Sequence, residues 1–141
     1  MKDKNTFAGI VFLLLELLLG AGTAWLFSAC PPTEEGKWMS CHWAGRAVIG
    51  SGIVLIVLAV LYLLISKRPV RAGISLAVTL AGLYNIAVLN GLIELCKMPQ
   101  MQCRSVMQPA ITIISAVTAV IGAVNSIWIL NAEYGKKEGA S

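Results

Sequence analysis

Four long apolar runs set the pattern of this chain, from about Phe7 to Ala29, Ala47 to Ser66, Ala72 to Leu95 and Pro109 to Leu130. Each is uncharged or nearly so and holds about 20 residues or more, which at 1.5 Å of rise per residue crosses a hydrocarbon layer of roughly 30 Å. Backbone N–H and C=O groups in hydrocarbon must be satisfied within the protein, so these runs predict four transmembrane α-helices. The segments between them are too short to fold independently. The expected fold is an all-α membrane protein, a four-helix transmembrane bundle of two helical hairpins. It occupies residues 1–141 as one integral-membrane domain with outer loops at 30–46 and 96–108.

Composition agrees, because a chain 57% hydrophobic and 13% charged has too little polar surface to coat a soluble domain. The basic residues give an orientation. Lys2, Lys4, Lys67, Arg68, Arg71, Lys136 and Lys137 flank one side of the spans, whereas Lys37, Arg46, Lys97 and Arg104 flank the other. This excess predicts a cytoplasmic (inner) membrane protein with both termini cytoplasmic. The net charge of +4 then faces anionic lipid and implies no nucleic-acid partner. Leu26-Phe27-Ser28-Ala29-Cys30 approaches a lipoprotein cleavage site. The run before it exceeds the ~7–15 residues of a signal core and is interrupted by Glu16, so the first span is expected to be retained.

With this topology all four cysteines, Cys30, Cys41, Cys96 and Cys103, fall at the outer end, in an oxidising compartment. They are disulfide candidates, with three connectivities open. Cys30 with Cys41 and Cys96 with Cys103 would each close a short loop and contribute about 2–3 kcal/mol. Each half of the chain reads as span, cysteine loop, span, and Met39-Ser40-Cys41 and Met101-Gln102-Cys103 share Met-x-Cys. That pattern suggests a parallel internal repeat joined at Lys67-Arg68-Pro69. A second reading is soft-metal binding, in which Met39, Cys41, His42, Cys96, Met98, Met101 and Cys103 supply thiolate, thioether and imidazole for Cu(I), or for zinc. A third is thiol chemistry. One cysteine pair per outer loop, with Arg46 at the start of the second helix, resembles quinone-coupled thiol-disulfide oxidoreductases, although neither pair is the Cys-x-x-Cys that makes such bonds readily exchangeable.

Within the spans, Glu16 is costly in lipid and must face the bundle. Depth counting places Thr79 and Asn125 level with it, which predicts a protonated Glu16 hydrogen-bonded among them. Asn85 and Asn90 add intramembrane polar positions in the third span. Gly20 and Ala24, Gly73 and Ala77, and Gly45, Gly50 and Gly52 offer small surfaces for close helix contact. Trp25, Trp38 and Trp43 predict an outer aromatic belt, and Trp128 with Tyr134 an inner one.

At Trp38-Met39-Ser40-Cys41-His42-Trp43 and Cys96-Lys97-Met98-Pro99-Gln100-Met101-Gln102-Cys103 the chain resembles a family of small bacterial four-helix membrane proteins known only as a domain of unknown function, number 4418. The resemblance spans nearly the whole chain and brings no activity with it. It implies an accessory role beside MacB/FtsX-like ABC transporters. No phosphate loop, hydrolase triad or paired catalytic carboxylates occur. The expectation is therefore a non-enzymatic protein whose partner is another membrane protein or a second copy of itself, with Trp38, Trp43 and Arg46 as contact candidates.

Overall fold

A computed structural model describes residues 2–26, 32–38, 40–94, 97, 100 and 102–140. Helix α1 covers Lys2–Ala21 and continues through a π-helical turn, Gly22–Leu26. Helix α2 covers Ser40–Leu64. Helix α3 covers Arg68–Ala87 and ends in a second π-helical turn, Val88–Leu92. A third π-helical turn, Cys103–Met107, leads into α4, Gln108–Glu138. All four helices are long and apolar enough to cross a bilayer. Short connections make them antiparallel, so the start of α1 and the end of α4 share one end, the terminal face, and Cys41 and Cys103 share the other, the cysteine face.

Several boundaries differ from the hydropathy expectation: α3 starts at Arg68 rather than Ala72, and the helical run into α4 starts at Cys103, inside the expected outer loop 96–108. Helix α2 begins at Ser40 rather than near Ala47, so Cys41, His42, Trp43 and Arg46 are helical rather than part of an outer loop. Hydropathy cannot see this, because a helix continues through the bilayer interface wherever its side chains are amphipathic enough to sit there. Helix α4 likewise runs beyond Leu130 to Glu138. The α2–α3 turn follows expectation, with extended Lys67 before the helix and Pro69 in its first turn.

Helices α3 and α4 share the most extensive interface, α1 packs on α2, and of the neighbouring pairs α1 and α4 touch least. Between the last two lies a groove of about 560 Å³ lined by Phe7, Val11, Val120, Val124 and Trp128. Phe12, Leu19, Val48, Leu55, Tyr62 and Ile111 fill the core. Leu14, Leu80, Ile113, Val120 and Ile127 point outward, as a lipid-facing surface requires.

Glycine governs the close approaches. A Cβ at Gly82 would lie 2.9 Å from the Ser115 carbonyl oxygen and 3.1 Å from the Ala119 Cβ, and one at Gly122 would lie 2.9 Å from the Ser75 carbonyl oxygen. Gly52 faces Gly20 at ordinary contact distance, whereas Gly50 and Gly73 have nothing nearby. The expected contacts at Gly50 and Gly73 are thus replaced by Gly82 and Gly122 on the α3–α4 interface. Gly82→Ala is predicted to lower stability by about 1–3 kcal/mol through overpacking. Gly73→Ala should leave it unchanged or raise it by up to ~1 kcal/mol through helix propensity. Thermal unfolding of both variants in one detergent checks the contrast, and equal shifts would refute it.

Candidate functional site

On the cysteine face, Cys41 lies in the first turn of α2 and Cys103 opens the third π-helical turn, and both are 0% exposed. Cys30, Met39, Cys96, Met98 and Met101 lie outside the described residues. The His42 ring stacks on Trp38 at 4.0 Å between centroids and meets Trp43 edge-on at 5.7 Å. Trp38 and Trp43 are nonetheless about half exposed or more, and Trp25 is 87% exposed. Lys37, Arg46, Lys97 and Arg104 are exposed. Among the described residues, no three His, Cys, Asp or Glu side chains come together as metal ligands. The loop before α2 is tightly turned: the Gly36 N–H donates to the Thr33 carbonyl at 2.8 Å, and the Thr33 hydroxyl donates to the Lys37 carbonyl at 3.0 Å. Gly36 adopts φ 75°, a left-handed conformation that suits glycine.

A polar seam crosses the bundle, mostly between α3 and α4. Toward the terminal face, buried Arg71 donates from Nε to the Ile65 carbonyl at 2.6 Å, and its guanidinium lies 5.2 Å from the Tyr62 ring centre. Phe12 meets the same ring edge-on. Asn125 uses the two hydrogens of Nδ2 separately, donating to the Tyr62 hydroxyl at 2.9 Å and to Ser75 Oγ at 2.7 Å. Thr79 donates to the Ser75 carbonyl at 2.9 Å, and Ser126 to the Ala72 carbonyl at 3.2 Å.

At mid-bundle, Glu16 is 0% exposed. The Thr118 hydroxyl is the polar group beside its carboxyl. The two stand short of hydrogen-bond geometry, and neither Glu16 oxygen is paired. The expected partnership of Glu16 with Thr79 and Asn125 is not formed, because those side chains are turned into the seam toward Ser75. Depth counting matches level but not helix rotation. Asn85 is buried against Ser51 of α2, at 2.6 Å. Asn90 is exposed, accepting from Gln108 at 3.0 Å. Sequence reading missed Ser51, Ser75, Ser115, Thr118 and Ser126. Three of these, Ser75, Ser115 and Thr118, could have been found on α3 and α4, since Thr112, Ser115, Thr118 and Asn125, like Arg71, Ser75 and Thr79, recur at three- to seven-residue spacings on one helix face.

Four apolar spans closed around a polar seam define a multi-pass membrane protein whose environment is a lipid bilayer. The chain belongs to the family described as Domain of unknown function (DUF4418), whose model matches residues 12–128, a stretch containing Glu16, all four cysteines and the seam. No curated protein and no solved structure matches it.

The Asn125–Tyr62 bond links α4 to α2 across the core. A double-mutant cycle of Asn125→Ala and Tyr62→Phe, read by unfolding in bilayer mimics, should give a coupling of about 0.6 kcal/mol, with ~1.7 as the upper end for such bonds. Strict additivity would show that the bond contributes nothing.

Proposed function

We propose that this protein is a non-enzymatic interaction subunit of the cytoplasmic membrane, oriented with both termini inside, whose outer face docks another membrane protein. The observation that carries this reading is the aromatic cluster of Trp38, His42 and Trp43, in ring contact with one another while both tryptophans stay exposed. Exposed tryptophans on ordered backbone lose little entropy on binding and are frequent anchors of interfaces. Exposed Arg46 adds a cation to its rim. The resemblance to neighbours of MacB/FtsX-like ABC transporters supports such a permease as the partner.

Disulfides complete the proposal, pairing Cys30 with Cys41 and Cys96 with Cys103 to pin the loops. Burial of Cys41 and Cys103 supports fixed bonds over exchange, because thiol-disulfide transfer to a quinone and capture of Cu(I) or zinc both require reachable sulfur.

Extraction from native membranes in mild detergent should co-purify an ABC-type permease with the protein, and Trp43→Ala should weaken that association about tenfold or more, as loss of an anchor does. Migration of the protein alone would count decisively against the reading. Non-reducing peptide mapping should recover the two paired peptides, and alkylatable thiols at all four cysteines would refute the staples.

A further inference from the structure

At the terminal face, the α2–α3 turn and the last turns of α4 border a cavity of about 490 Å³ lined by Lys67, Arg68, Pro69, Glu133, Lys136 and Lys137. Its size falls within the roughly 300–1,000 Å³ of small-ligand sites. Four cations and one carboxylate thus share one concave surface, although its two walls come from positions far apart in the chain. The extended backbone of Lys67 and the proline in the first turn of α3 set one wall. The last turn of α4, which carries Lys136 and Lys137, sets the other.

Side chains decide the sign of this site. The positive end of the α3 dipole and the negative end of the α4 dipole both meet the cavity, so the two offset. Among the described residues, no hydrogen bond or ion pair engages the ammonium groups of Lys67, Lys136 or Lys137, and all three side chains are exposed. Glu133 is half-buried and lies one helical turn before Lys137, so it lowers the positive potential from one side without cancelling it. Like charges around a concavity reinforce one another, which favours an anion of more than one charge. A phosphomonoester, with a second pKa near 6, carries about −1.5 to −2 at neutral pH.

Depth selects the kind of anion. Leu64 and Val70, on either side of Lys67 to Pro69, are exposed apolar side chains suited to lipid, and Tyr134, next to Glu133, is an exposed interfacial aromatic. Lys136 stands about 12 Å beyond exposed Trp128 along α4 at 1.5 Å per residue. The cavity therefore opens at the level of lipid headgroups, where a phosphate arrives on acyl chains that the adjoining apolar surface accepts. Basic recesses between spans at this level bind such headgroups. Charge asymmetry across the membrane sets orientation wherever on that side the charges lie, so orientation alone does not account for the convergence of Lys67 with Lys136 and Lys137 on one cavity.

We propose that the cavity of Lys67, Arg68, Lys136 and Lys137 binds the phosphate headgroup of one anionic lipid, prefers a phosphomonoester to a phosphodiester, and is held to moderate affinity by Glu133. It lies at the opposite end of the bundle from the docking face and stands independently of that reading.

Native mass spectrometry of the delipidated full chain in detergent micelles, titrated with phosphatidic acid, phosphatidylglycerol or phosphatidylcholine, tests this. One phosphatidic acid should bind per chain, about tenfold or more tighter than phosphatidylcholine and tighter than phosphatidylglycerol. It should raise Tm where phosphatidylcholine does not. Lys67→Gln and Lys136→Gln should each weaken its binding about fivefold, and Glu133→Gln should tighten it. Lys37→Gln, an equal loss of charge at the cysteine face, should leave it unchanged. Equal weakening by Lys37→Gln would show attraction to net charge alone and overturn the site, as would an affinity indifferent to headgroup. Equal binding of phosphatidic acid and phosphatidylglycerol would overturn the phosphomonoester preference. Inorganic phosphate that raises Tm as far as phosphatidic acid does would overturn the lipid assignment.

Discussion

Inside a bilayer, nothing but the protein can satisfy a buried polar group, and that constraint organises the α3–α4 interface on which the bundle depends. Asn125 reaches Tyr62 and Ser75, Ser126 reaches the Ala72 carbonyl, and Arg71 reaches the Ile65 carbonyl. These bonds demand short distances between helix backbones. Gly82 and Gly122 permit them, since any larger side chain would press on the opposite backbone. Glycine contact and polar pairing are therefore two aspects of one requirement. Hydrophobic drive between helices is absent in lipid, so close packing and hydrogen bonds take its place.

The two ends of the molecule differ in character. The terminal half of the seam ties α2, α3 and α4 together through hydrogen bonds among Tyr62, Ser75 and Asn125. Toward mid-bundle the pairing stops, at Glu16, Ser115 and Thr118. The three π-helical turns all lie near the cysteine face.

Much of the fold was legible from residue types alone. The number of spans and the exposed positions of Trp25, Trp43 and Trp128 follow from how each side chain partitions between water, interface and hydrocarbon. The start of α2 was not legible, because Cys41 to Arg46 reads as polar on a hydropathy scale while remaining compatible with a helix at the interface. Glu16 was visible as an anomaly, but its neighbour was misjudged. Thr79 and Asn125 share its depth but are turned into the seam, and neither Glu16 oxygen is paired.

The division has a physical basis. Partition into lipid is nearly additive over residues, so the linear sequence by itself determined four membrane-crossing helices, their antiparallel order and the shared end of Cys41 and Cys103. Which polar groups meet depends on the rotation and axial offset of each helix. Those are set by contacts between residues far apart in the chain, such as Gly82 with Ser115 and Gly122 with Ser75, so only the tertiary structure decided that Asn125 is satisfied and Glu16 is not.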